Sequence, residues 1–577
     1  MPSIISQLDA AFRQAIRAAF DIDADPIVGL SQSENFGDYQ SNAAMSLARL
    51  VSEKTGQKTS PRAVAEQIRA RLNLGNMATE VTIAGPGFIN VRLNPQWLAE
   101  QLLQAAADPR LGIPKTTSPQ TVVVDYSGPN IAKQMHVGHL RSTIIGDAIS
   151  RVLEFQGHNV IRQNHIGDWG TQFGMLIAYL LENQDWRNSA VHLSDLEEFY
   201  RRAKKRFDED PAFEEESRQI VVRLQRGDPE ILEAWRWIVN ESRRHFQPIY
   251  QRLGVKLRPE DERGESFYNP MLPEVVRELL EKGIAVESEG AVVVFIDGPD
   301  KSPLIIRKSD GGYLYGTTDL AAIRYRVNVL HADRIIYTHD SRQAQHFSQV
   351  FRTAQKASWT RGDAVKLEFA PFGTMLGEDG KPFKTRSGDT VKLADLLDEA
   401  EQRAYRLVTE KNPDLPEAQR RAIARAVGIG GVKYADLSKD RTSDYVFSWE
   451  KMLALDGNTA PYLQYAYARI RSIFRKAGTD EVRTDVLILQ TPHEIALAKH
   501  LLRLCEVIDA VARDLKPHLL CTYLYELATR FSGFYENCPV LQSEQPLRSS
   551  RLLLADLTAR TLALGLDLLG IEHPEQM

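Results

Sequence analysis

The sequence predicts a multidomain α/β protein: a parallel sheet interrupted by a helical insertion, an α+β region ahead of it and an all-helical region behind. Three observations carry this. The run TVVVDY (121–126) is a continuous, largely β-branched strand of the kind buried on both faces of a parallel sheet. After it, Leu140, Ile144, Ile145, Ala148, Val152 and Leu153 recur at helical spacing until Gly157, and HNVIRQN (158–164) reads as a second strand. Strand, helix and strand make a right-handed parallel unit. The same alternation returns much later, with ADRIIYTHD (332–340) as a strand and QAQHFSQVFRTAQKA (343–357) as a helix.

The other elements follow in order. MPSIISQLDAAFRQAIRAAF reads as an amphipathic helix, without the basic cluster and apolar core of a signal peptide. VTIAGPGFINVRLN (81–94) is strand, Gly-Pro-Gly turn and strand. NPQWLAEQLLQAAAD (94–108) is a helix with Asn94 as N-cap and Pro95 at the first position, and GIPKTTSPQ (112–120) is a linker. From Trp186 to Leu304 charged helices dominate, as in DLEEFYRRAKKRFDEDPAFEEESRQ, and read as an insertion whose charges face water. After about Ala394 nearly everything is helical. The expected units are 1–112, 113–395 with the insertion at 186–304, 396–450 and 451–577.

Bulk composition narrows the class. The balance of 71 basic and 76 acidic residues, net −5, excludes a globally basic nucleic-acid binder, so any polyanion must meet a local basic surface. The three cysteines, Cys505, Cys521 and Cys538, form no CxxC pair and support neither a zinc knuckle nor a disulfide framework. No apolar run reaches the ~20 residues of a membrane span. A cytoplasmic protein is expected.

Two stretches carry chemistry. In NIAKQMHVGHLRSTIIGD (130–147), His136 and His139 stand at the mouth of a helix. A helix N-terminus offers unpaired N–H groups and a partial positive charge. Gly138 admits close backbone approach, and two imidazoles add donors toward the same spot. Together they suit a polyphosphate and the charge that develops on it. The alternatives are two surface histidines or a metal pair. In GEDGKPFKTRSGDTVKLADLL (377–397), Lys381, Lys384 and Arg386 are cations fit to clamp a triphosphate, with Thr385 and Ser387 adding hydroxyls. Alone, that loop reads as solvated.

The two stretches occur in order at opposite ends of an interrupted sheet. His136-Val137-Gly138-His139 resembles the HIGH motif of class I aminoacyl-tRNA synthetases, and Phe383–Ser387 (FKTRS) resembles a degenerate KMSKS loop. YSGPNIAKQMHVGHLRSTIIGDA, GDWGTQFG, GGYLYGTTDLAA, APYLQYAYARIRS and the ending LGIEHPEQM resemble bacterial-type arginyl-tRNA synthetases along essentially the whole chain.

The resemblance implies a Rossmann-like catalytic domain, an N-terminal domain contacting the tRNA D-loop and an all-α anticodon-binding bundle. It implies ATP-dependent activation of L-arginine and transfer to the 2′-hydroxyl of tRNA(Arg), with Mg²⁺. The sequence does not fix the oligomeric state; a monomer is the expectation. Activation is expected to need the tRNA. His136, Gly138 and His139 would meet ATP, with Lys384, Arg386 and Ser387 on the phosphates. Phe383 stands where KMSKS has its first Lys, so one cation is missing; Lys133 is a candidate replacement, with Lys381 and Lys384 as rivals. The implied catalytic set is His136, His139, Lys133 and Arg386. Arginine would be read by Asp125, Asn130, Tyr315, Asp319 and Gln343, with Asp319 as guanidinium partner, although on sequence alone Asp319 reads as a helix N-cap. Phe88 and Asn90 match the D-loop contact, and Tyr462, Tyr465, Tyr535 and Met577 the anticodon contact, with Arg469, Arg471, Arg475 and Lys476 as local basic surface. The insertion would touch the acceptor stem. A different adenylate-forming ligase and a non-catalytic RNA-binding paralogue are the rival readings.

Overall fold

The computed structural model describes residues 2–33, 35–182, 186, 196–298, 300–383, 391–478 and 484–577. The N-terminal helix, Ile4–Phe20, is capped by the Ser3 hydroxyl, which accepts from the Ser6 N–H. It packs with helices Ala43–Thr55 and Pro61–Arg71 over an antiparallel sheet of β1 (Val28–Leu30), β2 (Tyr39–Ser41), β3 (Ala78–Ala84) and β4 (Phe88–Leu93), in the order β1-β2-β4-β3. Ile89, Val91 and Leu93 alternate into that core, which leaves Phe88, Asn90 and Arg92 on the opposite face. The next helix, Pro95–Ala107, starts as its sequence dictates: the Asn94 side chain accepts from the Gln96 N–H at 3.0 Å, and Pro95 sits where no N–H is needed.

The central sheet begins with β5 (Thr121–Asp125) and β6 (Asn159–Gln163), parallel and joined by helix Val137–Phe155. That helix is buried on nearly every side, and Gly157 follows its end at φ +94°. The chain then enters the insertion. Its first half is helical, at Leu196–Glu209, Pro211–Gln225 and Pro229–Arg252. Its second half departs from the charged-helix expectation: β7 (Val286–Ser288), β8 (Ala291–Val294) and β9 (Leu304–Arg307) form an antiparallel sheet. Val292, Val294, Leu304 and Ile306 drive it, by burial against helix Tyr315–Asn328. The main sheet resumes with β10 (Arg334–Tyr337) and β11 (Lys366–Phe369), giving the all-parallel order β11-β10-β5-β6. From β5 the chain goes to one side for β6 and returns on the other for β10. Strand order therefore reverses between β5 and β10, and the crevice beyond their C-terminal ends is where such sheets take ligands.

β12 (Met375–Leu376) pairs in parallel with β13 (Tyr445–Val446), which joins the sheet domain to the helical region. The buried Arg141–Asp436 ion pair, 3.0 Å, joins them again. The C-terminal helices include Leu393–Lys411, Glu417–Leu437, Ala460–Ala477, Pro492–Leu502, Leu504–Asp514, His518–Asn537 and Leu547–Leu568. The N-terminal region docks onto this bundle directly. Lys499 pairs with Asp38 at 2.5 Å, and Glu506 accepts from the Tyr39 hydroxyl at 3.0 Å and the Ile5 N–H at 3.1 Å. Among the described residues no helix is long and apolar enough to cross a membrane.

Candidate active site

The two histidines build the mouth of the central helix. His136 is its N-cap, and its Nδ1 accepts from the Gly138 N–H at 3.0 Å. His139 reaches back, its Nδ1 accepting from the His136 N–H at 3.1 Å. The pair forms a reciprocal capping box made of imidazoles, with ring centroids 4.0 Å apart. Gly138 is required: a Cβ there would come within 2.7 Å of His136 Cε1. Because both Nδ1 atoms accept, the proton of each neutral ring lies on Nε2. Burial keeps them neutral, lowering the His136 pKa and bringing His139 down to about 3. The helix mouth thus offers two neutral N–H donors. Lys133, exposed beside them and 4.8 Å over the Tyr200 ring, adds a positive charge that is felt at His136.

Lys384, Thr385, Arg386 and Ser387 lie outside the described residues. From Val391 onward the chain meets the histidines. Val137 N–H donates to Val391 C=O at 3.1 Å and Leu393 N–H to Met135 C=O at 2.9 Å, with His136 opposite Lys392. The chain before them is fixed as well: Phe383 N–H donates to Met375 C=O at 3.1 Å, and the Phe383 ring packs 5.3 Å from Phe447. Lys381 is exposed on this approach.

The other end of the crevice carries carboxylates. Asp319 lies in the second turn of helix Tyr315–Asn328, not at its N-cap, which is Leu314; its carboxylate meets His346 Nε2 at 2.6 Å. Tyr315 is 62% exposed and its ring lies 4.8 Å from His346. Gln343, at the start of helix Ala344–Lys356, is exposed. Asn130 is exposed, in a loop where Ser127 and Ala132 hold positive φ, a strained state for residues with side chains. Asp125 turns inward at 1% exposure. Its carboxylate meets Arg326 Nη2 at 2.5 Å and faces His339 Nε2 at 3.4 Å, and these charges pull its pKa below the usual range against the cost of burial. Arg326 also donates to Gln163 Oε1 at 2.8 Å.

Three residues here escaped the sequence reading. Glu265, on the four-residue helix Glu265–Tyr268, is half-buried, and no basic side chain pairs with it among the described residues. Burial and the charges of Asp168 and Asp319 push its carboxyl up to about 7, opposed by the Trp169 N–H. His346 and Arg326 are the others. Glu265 sits in the run PEDERGES, where charge reads as solvated surface; only its pairing with a distant segment buries it.

The residues that the resemblance assigns to tRNA stand on the N-terminal sheet and in the C-terminal helical region. Phe88 is half-buried on β4; Asn90 beside it is 2% exposed, with its side-chain oxygen unpartnered. Tyr465 is exposed; Tyr462 leans 5.7 Å from Tyr525; Arg469 lies 4.8 Å over Tyr535. Met577 packs beside Ala404, Val408 and Val427.

A helix mouth of two neutral histidine donors at the strand-order reversal, with the exit of a Lys/Arg-rich loop hydrogen-bonded to it, is the architecture of class I aminoacyl-tRNA synthetases. Comparison with known proteins narrows the class. Residues 101–449 match the family model "tRNA synthetases class I (R), catalytic domain", 463–577 the "DALR anticodon binding domain" and 6–93 the "Arginyl tRNA synthetase N terminal domain". The arginine–tRNA ligase of Synechococcus elongatus is 53% identical over the full length of both chains, and that of Salmonella typhimurium 55% identical over 97% of each. The crystal structure of the Plasmodium falciparum arginyl-tRNA synthetase superposes with a TM-score of 0.87 at 33% identity, covering all of both chains. The Thermus thermophilus enzyme gives 0.82 at 26%, again over both whole chains. The chain belongs to the arginyl-tRNA synthetases.

Proposed function

We propose that this chain divides the work of an arginine–tRNA ligase between the two ends of one crevice. ATP and arginine give arginyl-adenylate and pyrophosphate; the arginyl group then passes to the 2′-hydroxyl of the terminal adenosine of tRNA(Arg), releasing AMP. Positioning and charge stabilisation suffice, with no covalent enzyme intermediate. At the nucleotide end, His136 and His139 donate from Nε2 to phosphate oxygens as charge builds, and Gly138 leaves room for them. Lys133 supplies the cation that Phe383 removes; its electrostatic reach to His136 supports it over Lys381. Lys384, Arg386 and Ser387 act on the leaving pyrophosphate.

At the amino-acid end, Asn130 holds the α-amino or carboxylate end, Asp319 and Glu265 take the guanidinium, Tyr315 covers it and Gln343 lines the rim. Paired carboxylates suit a planar, multi-donor cation. Asp125 is a positioning group for this end through Arg326 and His339. Phe88 serves the D-loop, with the buried Asn90 supporting it from behind and not at the contact itself; Tyr462, Tyr465, Tyr535 and Met577 serve the anticodon. Mg²⁺ would accompany the nucleotide phosphates and offset their charge. A reducing cytoplasm suits three cysteines that are all free and buried.

The backbone bonds from residues 391–393 to the histidine mouth support this reading most directly, because they join the exit of the second motif to the first. Arginine-dependent exchange of pyrophosphate into ATP, with and without tRNA(Arg), tests it. Exchange only with tRNA supports both the enzyme and coupling to the anticodon region. Exchange without tRNA discards the coupling alone. No exchange from folded protein favours the non-catalytic paralogue.

A further inference from the structure

We propose that the segment Asn164–Asp168 is a ruler for the amino-acid side chain, fixing the separation between Asn130 and Glu265 and thereby the length of guanidino amino acid that fits. This rests on the reading of Asn130 and Glu265 given above. The segment runs beyond β6 with one chain on each side. Toward Asn130, Gly167 N–H donates to Pro129 C=O and Ile131 N–H to Gly167 C=O, both at 3.1 Å, and Asn164 Oδ1 accepts from the Gly128 N–H at 2.9 Å. Toward Glu265, Asn164 N–H donates to Asp261 C=O at 2.9 Å, Arg263 N–H to Asn164 C=O at 3.0 Å and Glu265 N–H to Ile166 C=O at 3.1 Å. One reader cannot shift along the crevice without moving the segment that holds the other.

Asp168 locks the guanidinium side. It is 4% exposed, and its two oxygens accept from the Ser266 N–H at 2.8 Å and the Ser266 hydroxyl at 2.7 Å, one residue beyond Glu265. Its own C=O accepts from Trp235 Nε1 at 2.8 Å. Two glycines permit the close fit: a Cβ at Gly264 would overlap the Asp168 carboxylate, and one at Gly167 would overlap Asn130 Oδ1. Asp168 is therefore a positioning residue, acting through the short helix that carries Glu265.

The test is pyrophosphate exchange by the full chain with tRNA(Arg), using arginine and its guanidino homologues one methylene shorter and longer. The variants are Asp168→Asn, Ser266→Ala, Ser266→Thr and Glu265→Gln. Asp168→Asn and Ser266→Ala should raise the KM for arginine about tenfold and leave the KM for ATP within about twofold. They should also compress the preference for arginine over both homologues, and Ser266→Thr should restore it. Equal weakening for all three substrates, with the preference intact, would overturn the ruler. If Glu265→Gln raises the KM for arginine while Ser266→Ala leaves it unmoved, the ruler alone fails. If Glu265→Gln is itself silent, the underlying reading of Glu265 fails. Should Asp168→Asn not fold, the Ser266 pair carries the same test.

Discussion

Glu265 is the residue whose environment says most about the substrate. A half-buried carboxyl that has two other carboxylates for company, and among the described residues no paired cation, is poised for a cation from outside. Replacing it by Gln should raise the KM for arginine about ten- to a hundredfold, the worth of a charge-assisted hydrogen bond. Its pKa of about 7 adds a pH signature: the guanidinium binds the carboxylate, so the KM for arginine should climb as pH falls below about 7 and level off above it. Glu265→Gln should flatten that limb, measured as KM against pH. Burial brings His139 far lower, to about 3, so it contributes no limb near neutrality. His139→Ala should slow adenylate formation about 10²- to 10³-fold, the scale of a lost transition-state donor, and leave tRNA affinity nearly unchanged. Single-turnover kinetics beside a tRNA binding titration would check it. Of these groups the histidines were legible, because a helix mouth is written in the periodicity that follows it. Their capping role was not: imidazole is outside the usual Ser, Thr, Asp and Asn set, so the sequence reading started the helix after His139 where it starts at Val137.

At the scale of elements, the central helix is clamped in its second turn. Arg141 meets Asp436 and donates to Arg441 C=O at 3.3 Å and Ser443 C=O at 3.1 Å, and its guanidinium faces the Tyr445 ring at 5.1 Å. Tyr445 belongs to β13, whose partner β12 leads toward Phe383. Asp436→Ala strands a buried guanidinium and should cost about 3–5 kcal/mol, measured by denaturant unfolding. The parallel strands and their helices were readable from β-branched runs and helical spacing. The β7–β9 sheet was not, since three short strands inside a charged insertion give little periodicity and owe their burial to the Tyr315–Asn328 helix.

Across the whole molecule, the N-terminal and C-terminal regions meet although they stand at opposite ends of the sequence. Glu506 holds both Tyr39 and Ile5, and Lys499 holds Asp38. Glu506→Ala should loosen this junction, speed tryptic cleavage at the exposed linker residue Lys115 and raise the KM for tRNA, with the KM for ATP unchanged. Limited proteolysis and charging kinetics would show it. No local pattern announces such a junction, because its partners lie over 400 positions apart. What the sequence did carry at this scale was the order of the units and the two motifs. It could not show that residues 391–393 come home to the histidine mouth, or that Asn164–Asp168 ties Asn130 to Glu265.

The central claim, that a carboxylate pair reads a guanidinium beside a histidine-lined nucleotide site, is tested most directly with citrulline, which replaces the guanidinium by a neutral ureido group of nearly the same shape. Pyrophosphate exchange would be measured with tRNA(Arg) present, arginine against citrulline. The expected result is robust exchange with arginine and a kcat/KM for citrulline lower by about 10³-fold or more, because the carboxylates would be left unpaired. Comparable exchange with citrulline, or none with arginine from folded protein that still binds tRNA, would contradict it.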